Sequence, residues 1–446
     1  MEKPKLSNLF QFQRQGVKWL SDRNSAILAD DMGLGKTVQV IATMRLLFNN
    51  ALIRSSLVIC PKGLIPTWER EFLKWAPELA VSVLTPPARI RESAWRVVRP
   101  RCHVMLTNYE QMRNAPSVLL EDTPDLVVAD EAHRLRKHSA KITAGSFKLR
   151  PSRFWALTGT PIERDTEDLA TLLSLVARSR FSPADAKLHP SSLRGRAREY
   201  ILRRRKQEVL DQLPTVLDTT QVVELSFGQR RAYRAAVDKF RCERKKSEEL
   251  ALLTRLQAIC DIDVSSKSSS KCDRIIELLS CIRERDEKAV VFSLRLEPLR
   301  VLHHRICKMW GKQACSLLLG EMDYENRSQA LEHFRSNAQA LALLASTRVG
   351  GEGLTLVEAN HVFLFNQWWN PATNEQARDR VVRIGQRKKV RVYRFCCRGT
   401  VEELIEEIIT KKKILFDTTV ERLAGTHKTL SQELLAEIGI ENLLSA

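Results

Sequence analysis

The chain has 446 residues, 43% hydrophobic and 28% charged, a composition typical of a folded protein long enough for two or three domains. Lysine and arginine outnumber the acidic residues by 72 to 53, and the net charge of +19 predicts a polyanionic partner such as nucleic acid, or else a solubilising surface. No run of about 18 apolar residues occurs, so we expect no membrane-spanning helix, and the N-terminal residues do not resemble a signal peptide.

The ten cysteines are scattered, and no Cys-x-x-Cys spacing occurs among them. Zinc sites need ligands at short, regular spacings, and disulfides persist mainly in oxidising compartments. We therefore expect reduced thiols in a cytosolic or nuclear protein, and no zinc module.

The first part of the chain alternates short β-rich runs with amphipathic segments. The runs expected to form strands are Ala26–Ala29, Ser56–Cys60, His103–Thr107, Leu126–Asp130 and Arg153–Thr158. The segments 67–75 and 139–149 between them have the apolar spacing of helices. This alternation predicts a parallel sheet flanked by helices.

The same alternation returns in the second half of the chain. The strand candidates there are Ala289–Ser293, Cys315–Leu319, Ala340–Ser346, His361–Asn366 and Val390–Phe395. The segments 326–335 and 373–382 have helical spacing. A second α/β lobe is therefore predicted.

Strand signals are sparse between residues 172 and 270, where the segment 227–256 has helical spacing and many charges. The serine-rich run Ser265–Ser270 predicts a flexible linker, and we place the boundary between the two lobes there. The predicted organisation is a nucleotide-binding lobe at 1–175, a helical insertion and linker at 176–270, a second lobe at 271–415 and a helical tail at 416–446.

The sequence between the first predicted strand and the next helix has the pattern of a phosphate-binding loop. Gly33 and Gly35 allow the tight turn that points backbone N–H groups at a phosphate, and Lys36 follows at the start of the helix. We expect Lys36 on the β- and γ-phosphates and the hydroxyl of Thr37 on Mg²⁺. Asp30 stands where the generic pattern has glycine, so an ordinary strand–helix turn is the alternative interpretation of the loop alone.

An acidic pair, Asp130 and Glu131, follows the apolar run Leu126–Ala129. Ligands of parallel sheets bind at the carboxyl ends of the strands. Asp130 would hold Mg²⁺ there, and Glu131 would position and polarise the attacking water. A turn that merely uses acidic residues is the alternative interpretation of the pair.

These two motifs, with others, resemble the superfamily II helicase-like ATPases, and specifically the Swi/Snf family of DNA translocases. The segments that carry the resemblance are Leu9–Leu20, Asp30–Thr37, Val58–Phe72, Thr107–Glu110, Asp130–His133, Leu157–Pro161, Leu202–Arg204 with Leu213–Pro214, Ser346–Leu354, Trp369–Pro371 and Gln376–Gln386. The chain departs from the family pattern at Val382, where histidine is usual, at Asn366, where aspartate is frequent, and at Glu163–Arg164. None of these departures removes a group needed for phosphoryl transfer.

The resemblance implies two tandem RecA-like lobes with a helical inter-lobe insertion and a C-terminal brace helix. It implies ATP and Mg²⁺ as cofactors, with Thr37 and Asp130 as the metal ligands. The implied catalytic residues are Lys36, Asp130, Glu131, Arg380 and Arg383. The residues implied at ATP are Gln13, which reads adenine in the family, and Asp30, Met32, Gly33, Leu34, Gly35, Lys36, Thr37, Gly353, Arg380 and Arg383.

Two further sets of residues follow from the same resemblance. Contacts with DNA are implied for Lys62, Thr107, Asn108, Ser293, Ser346, Thr347 and Trp368, although a tryptophan after a strand equally suits a core. Coupling of hydrolysis to movement is implied for His133, Thr158, Gly159, Thr160 and Gln386. Arg380 and Arg383 lie three positions apart in the segment Gln376–Gln386, which would put them on one helical face, and by resemblance they are arginine fingers.

The implied function is ATP-dependent translocation on double-stranded DNA by a monomeric enzyme that remodels or displaces protein–DNA complexes without unwinding the strands. An unwinding DNA or RNA helicase and an ATP-switched nucleic-acid-binding scaffold are the alternatives. The expected location is the cytoplasm for a prokaryotic or phage protein and the nucleus for a eukaryotic one. Repair, transcription, chromatin remodelling and defence all use such enzymes.

Overall fold

The computed structural model describes residues 6–135, 141–159, 166–209, 215–243, 249–263, 265–347, 356–366, 371–383 and 385–407. The chain divides into two compact units, Met1–Gln212 and Leu213–Ala446. In its described residues each unit contains one parallel sheet flanked by helices, which confirms the predicted α/β fold class. The boundaries predicted at 175, 270 and 415 differ from this single division and stay a prediction.

Among the described residues of the first unit, seven strands form one sheet in the order β3-β4-β2-β5-β6-β1-β7. The strands are β1 (Ser25–Leu28), β2 (Ser56–Cys60), β3 (Val81–Val83), β4 (Val104–Asn108), β5 (Leu126–Ala129), β6 (Arg153–Leu157) and β7 (Ile201–Leu202). The sequence does not predict β3 and β7, because they are three and two residues long and their residues are partly exposed, so neither forms an apolar run.

The helices of the first unit cover both faces of its sheet. They are α1 (Gln11–Ser21), α2 (Lys36–Asn49), α3 (Ile65–Trp75), α4 (Arg91–Val98), α5 (Ser117–Glu121), α6 (Lys141–Lys148), α7 (Thr166–Val176), α8 (Pro190–Ala197) and α9 (Lys206–Val209). Side chains of one strand alternate between two cores: Ile59 packs in one cluster and Val58 in the other. Because both faces are buried, the strands are continuous apolar runs that the sequence shows directly.

Among the described residues of the second unit, six strands form a parallel sheet in the order β10-β11-β9-β12-β13-β8. The strands are β8 (Val216–Val223), β9 (Ala289–Ser293), β10 (Cys315–Leu318), β11 (Ala342–Ser346), β12 (His361–Leu364) and β13 (Val390–Cys397). The helices are α10 (Phe227–Glu243), α11 (Glu249–Asp261), α12 (Ser270–Glu284), α13 (Leu296–Trp310), α14 (Tyr324–Ser336) and α15 (Pro371–Arg378). Strand β8 is an edge strand with a half-exposed, polar sequence, which explains why it is not predicted.

The serine-rich run predicted as a flexible linker has a different structure. Ser269 is the N-cap of α12, and its side chain accepts a hydrogen bond from the Cys272 backbone N–H at 3.2 Å. Ahead of it, the backbone N–H of Asp263 donates to the Ser268 carbonyl at 3.0 Å. Serine favours helix caps and turns because its hydroxyl bonds nearby backbone groups, and this preference explains the run better than flexibility does.

Residues 401–407 are helical and pack within the second unit. Lys271, which is fully buried, donates to Asp261 at 3.0 Å and to Glu402 at 2.5 Å, and so ties this helix to α11 and α12. Residues 408–446, which include the predicted tail at 416–446, lie outside the described residues, and the C-terminal brace helix stays a prediction.

All ten cysteines are free thiols, and six of them are buried. Cys242 and Cys281 are exposed, and Cys102 and Cys307 are half-buried. In the described part of the chain, no helix combines the length and apolar character needed to cross a bilayer.

Candidate nucleotide-binding site

The predicted phosphate loop lies between β1 and α2, at the carboxyl end of its strand. Gly33 and Gly35 have φ of +84° and +75°, in the left-handed region that glycine adopts without strain, and Gly35 is the N-cap of α2. Lys36 begins the helix, and its Nζ donates to the Asp30 carbonyl at 2.8 Å. The loop therefore curves around the ammonium group, with the half-buried Thr37 in the first turn of the helix.

Gln13, the predicted adenine reader, reaches the loop from α1. Its Nε2 donates to the Leu34 carbonyl at 3.2 Å, and its Oε1 accepts from the Phe10 backbone N–H at 3.1 Å. A Cβ placed on Gly35 would lie 2.6 Å from the same Nε2. The structure thus brings α1 and the phosphate loop into one site.

The side chain of Asp30 is bonded within the protein. It is fully buried, and Arg204 contacts both of its carboxylate oxygens, Nε to Oδ1 at 3.0 Å and Nη2 to Oδ2 at 2.5 Å. Gln39 of α2 donates to Oδ2 at 3.1 Å. The carboxylate predicted at ATP therefore anchors the loop to the protein, and any contact of Asp30 with a nucleotide stays a prediction.

The acidic pair lies at the end of β5. Trp68 Nε1 donates to Asp130 Oδ2 at 2.8 Å, and the Glu131 backbone N–H donates to Asp130 Oδ1 at 2.9 Å. Burial and the neighbouring charge of Glu131 raise the pKa of Asp130, while the Trp68 hydrogen bond and the charge of Lys36 oppose the rise. Glu131 itself has φ of +50°, an uncommon value for a residue other than glycine and one that is enriched at functional sites.

These groups fit a divalent cation. The Asp130 carboxylate and the Thr37 hydroxyl offer the hard oxygen ligands that Mg²⁺ prefers. Burial above all, and then the neighbouring charge of the half-buried Glu131, raise the pKa of Asp130, and a bound cation would favour the ionised carboxylate there.

The residues predicted to couple hydrolysis to movement surround this site in the first unit. The Thr158 backbone N–H donates to the Leu28 carbonyl at 3.1 Å, which sets the end of β6 beside the start of the phosphate loop. A Cβ on Gly159 would lie 2.5 Å from Met32 Cγ and 3.2 Å from Lys36 Nζ. His133 Nδ1 lies 3.3 Å from Glu131 Oε2. Thr160 lies outside the described residues.

The residues predicted to contact DNA from the first unit differ in exposure. Lys62 is exposed at the start of the turn that leads into α3. Thr107 is fully buried and its hydroxyl donates to the Leu84 carbonyl at 2.5 Å, while Asn108 is 5% exposed and its Oδ1 accepts from the Gln111 N–H. The side chains of Thr107 and Asn108 thus stabilise the loop, which does not favour the predicted DNA contact.

In the second unit, Ser293 and Ser346 are register partners at the ends of β9 and β11. Both are buried, and Ser293 Oγ donates to the Arg295 carbonyl at 2.9 Å. Thr347 follows directly and is half-buried. Trp368 and Gly353 lie outside the described residues, so their predicted roles stay predictions.

Gln386, predicted to couple hydrolysis to movement, is 8% exposed, and its side-chain amide is hydrogen-bonded within the second unit. Its Nε2 donates to the carbonyls of Val357 and Ala359 at 3.0 and 2.6 Å, and its Oε1 accepts from the Lys388 N–H at 2.8 Å. The side chain therefore joins the segment after α15 to the residues that precede β12.

Arg380 and Arg383 do not share a helical face as predicted. Helix α15 ends at Arg378, and the next residues form turns in which the Arg380 N–H donates to the Ala377 carbonyl and the Val381 N–H to the Arg378 carbonyl. The Asp379 and Val382 N–H groups still donate to carbonyls four residues back, so three-residue and four-residue bonds are mixed here and the regular helix does not continue through Arg380 and Arg383. Arg380 is 7% exposed and Arg383 is half-buried.

Sequence reasoning missed three residues that organise the site. Trp68 and Arg204 lie inside segments that carry the family resemblance, but their roles toward Asp130 and Asp30 were not expected. Gln39 of α2 bonds Asp30 and also accepts from Arg204 Nη2 at 2.7 Å. A buried carboxylate needs a paired cation, so Asp30 in an apolar surrounding is the signal that could have pointed to Arg204.

Two models of known domain families match the chain. The SNF2-related domain matches residues 12–288, which is more than half of the chain, and the helicase conserved C-terminal domain matches residues 270–385. The chain belongs to the SNF2-related family. This confirms the resemblance to helicase-like ATPases of Swi/Snf type, and the two matches together span residues 12–385, which include every described strand of the first sheet and β8 to β12 of the second.

Individual proteins and one solved structure are similar to this chain. An ATP-dependent helicase of Mycoplasma pneumoniae is 29% identical over 98% of this chain and 45% of its own length. Chromodomain-helicase-DNA-binding protein 1 of Gallus gallus is 29% identical over 95% of this chain and 27% of its own length. A solved structure, the Sulfolobus solfataricus SWI2/SNF2 ATPase core in complex with dsDNA, is 27% identical, with a TM-score of 0.47, over 98% of this chain and 96% of that chain.

The chain spans about half or less of the length of these curated relatives, with 50% reached for the helicase/translocase YwqA of Bacillus subtilis. The activity, substrates and partners of a whole protein of this kind are therefore proposed for this chain and do not follow from the matches alone.

Proposed function

We propose that this SNF2-related chain hydrolyses ATP when it is bound to double-stranded DNA, and that hydrolysis drives movement along the duplex. The movement remodels or displaces protein–DNA complexes without separating the strands. The observation that carries the proposal is the joint position of a phosphate-binding loop and an acidic pair at the carboxyl ends of β1 and β5, in a chain of this family.

The residues of the first unit would bind and orient the triphosphate. The backbone N–H groups of the loop and the N-terminus of α2 would hold the phosphates, and Lys36 would balance their charge. Glu131 would polarise the attacking water, and His133, whose Nδ1 lies 3.3 Å from Glu131 Oε2, would lie beside that carboxylate during the reaction. Gln13 would contact adenine from α1, where its amide already bonds the loop.

Mg²⁺ would be held by Asp130 and Thr37, and when bound it neutralises charge on the phosphoryl group that is transferred. The proposal assigns Arg380 and Arg383 of the second unit to stabilising the charge that develops during hydrolysis. Arginine fingers of this kind contribute about 10³–10⁵-fold to the rate.

DNA as the partner is supported by the net charge of +19 and by the name of the Gallus gallus relative. A basic protein that follows a duplex should bind backbone phosphates, because these carry the same charge in every sequence. Lys62 is the exposed candidate among the predicted contacts in the first unit.

The decisive measurement is multiple-turnover ATP hydrolysis with duplex DNA, single-stranded DNA and RNA. We expect the strongest stimulation by duplex DNA, and we expect Lys36→Ala, Glu131→Gln and Arg383→Ala to abolish turnover. Arg383→Ala should keep ATP binding, because it is assigned to the reaction and not to the loop. Normal hydrolysis by Arg383→Ala, or no stimulation by duplex DNA, would contradict the proposal.

Movement without unwinding is tested on two substrates with the same protein preparation. Displacement of the third strand from a triplex should require ATP and an intact Glu131. A forked duplex should stay paired under the same conditions. Strand separation on the fork would replace the proposal with the unwinding-helicase alternative.

A further inference from the structure

We propose that Arg204 is a positioning residue, which fixes the phosphate loop and the Gln13 helix to the segment of chain that precedes the second unit. This inference rests on the proposed function, because it explains how the proposed ATP site keeps its shape. It concerns a guanidinium that has no expected contact with the nucleotide itself.

Arg204 bonds three separate elements at once. Besides both oxygens of Asp30, its guanidinium donates to the Phe12 carbonyl through Nη1 and to Gln39 Oε1 at 2.7 Å through Nη2. Its charge also lies 5.4 Å from the centre of the Phe12 ring. The buried guanidinium of Arg204 therefore joins the loop, α1 and α2. Only the arginine side chain has enough donors in a fixed geometry to do so.

Helix α1 packs closely against the Arg204 guanidinium and its partners. A Cβ on Gly16 of α1 would lie 1.8 Å from Gln39 Oε1 and 2.9 Å from Arg204 Nη2. Helix α1 thus approaches the cluster at the one position of that turn without a side chain. Gln13, one turn earlier on the same helix, is held to the loop at Leu34.

The backbone on either side of Arg204 also follows the loop. The Ala29 N–H donates to the Leu202 carbonyl at 2.8 Å, and the Asp31 N–H donates to the Arg204 carbonyl at 3.0 Å. The Lys206 N–H donates to Asp31 Oδ2 at 3.0 Å. The two acidic residues that open the phosphate loop are therefore both bound by the segment 202–206.

The segment 202–206 lies close in sequence to the boundary between the two units. It is followed by α9, which ends at Val209, and the chain divides into its two units between Gln212 and Leu213. A displacement of the connecting backbone would reach residues 202–206, and these residues are hydrogen-bonded to the phosphate loop. Asp30, which stands where the generic loop has glycine, thus provides the anchor for the connecting segment.

The test compares Arg204→Gln with Arg178→Gln. Arg178 is a half-buried guanidinium of the first unit that donates to the carbonyls of Phe147 and Leu149 at 2.8 and 2.7 Å. Its replacement therefore also removes hydrogen bonds of a guanidinium to backbone carbonyls, but none of those bonds involves the phosphate loop. We expect Arg204→Gln to raise the KM for ATP about tenfold, the scale found for groups that orient a ligand-binding residue. It should also lower the preference for ATP over GTP, because Gln13 loses its fixed position, whereas Arg178→Gln should change neither quantity.

The double variant Asp30→Asn/Arg204→Gln separates positioning from stability. It removes both charges of a buried pair, and such a change is far less destabilising than the removal of one partner. We expect its Tm to return toward that of the unaltered chain, while the KM for ATP stays raised. Recovery of Tm and KM together would overturn the inference, as would an unchanged KM in both Arg204 variants.

Amide hydrogen exchange of the nucleotide-free protein provides a readout that needs no hydrolysis. Residues 10–16 and 29–36 should exchange faster in the double variant than in the unaltered chain, and Arg178→Gln should leave these two segments protected. Unchanged protection in the double variant would also overturn the inference. An unaltered chain that hydrolyses no ATP, with faster exchange in the double variant, would instead contradict the proposed function alone.

Discussion

At the scale of single residues, two donors fix the carboxylate of Asp130. Trp68 reaches Oδ2 from α3 at 2.8 Å, and the Glu131 backbone reaches Oδ1 at 2.9 Å. Tyr109 adds a bond from its hydroxyl to the Asp130 carbonyl at 2.5 Å. A buried carboxylate that is held this way keeps one orientation, which is the property that a metal ligand needs.

Trp68→Phe should impair the enzyme at a modest cost in stability, because Trp68 is buried in a core cluster. The substitution keeps an aromatic ring but removes the indole N–H that bonds Asp130 and opposes the rise of its pKa. We expect kcat for ATP hydrolysis to fall about tenfold and the Mg²⁺ concentration for half-maximal activity to rise, as is usual for groups that orient a metal ligand. Steady-state hydrolysis measured over a Mg²⁺ titration checks both.

Trp95→Phe is the matched control for that change. Trp95 of α4 is fully buried, and its indole N–H has no hydrogen-bond partner among the described residues. It should lose some stability and keep the Mg²⁺ dependence of the unaltered chain. Equal Mg²⁺ dependence in both variants would remove the role assigned to Trp68.

At the scale of secondary-structure elements, the site depends on how closely α1 approaches α2. Gly16 is where the two helices meet, and there is no room beside it even for a methyl group. Glycine lowers the intrinsic stability of a helix interior, so its presence in α1 is explained by this contact. The approach brings Gln13 to the loop and Gln39 to Asp30.

Gly16→Ala should destabilise the protein by about 1–3 kcal/mol, the usual cost of forcing extra volume into a packed interior. Gly195→Ala is the control, because Gly195 lies in α8 and a Cβ there would meet nothing within 4 Å. That change should stabilise by about 0.5–1 kcal/mol, because alanine suits a helix better than glycine does. Denaturant unfolding measures the change in the free energy of unfolding for each variant. Changes of the same sign in both variants would contradict the close approach of α1.

At the scale of the whole molecule, the net charge supports the proposed DNA partner. The chain has 72 basic and 53 acidic residues, which gives a net charge of +19. Such a charge acts on the phosphate backbone through counterion release, which is independent of sequence. This is the behaviour that movement along a duplex requires.

Duplex binding should therefore weaken steeply with salt. If six phosphates are neutralised, affinity should fall by about 10³ between roughly 50 and 200 mM monovalent salt. Two duplexes of unrelated sequence should give the same slope of log K against log salt. Fluorescence anisotropy with labelled duplexes measures both, and a flat salt dependence would contradict backbone binding.

Much of the fold can be predicted from local sequence because the central strands are buried on both faces. The bounds of β2 and β9 agree with the predicted runs residue for residue, and the phosphate loop and the acidic pair lie at strand ends as expected. Short or half-exposed strands such as β3 and β8 carry no comparable pattern. The end of α15 at Arg378 also escaped prediction, because apolar spacing continues beyond the last helical turn.

The sequence by itself determined the α/β class and the motifs of the site, since these depend on neighbouring residues and on short periodicities. Only the tertiary structure decided that Asp30 pairs with Arg204, 174 positions away, and that Trp68 holds Asp130. It also decided that Thr107 turns inward. The physical reason is that a buried polar group is stabilised by whichever partner the packing of distant segments brings to it, and no local pattern records that partner.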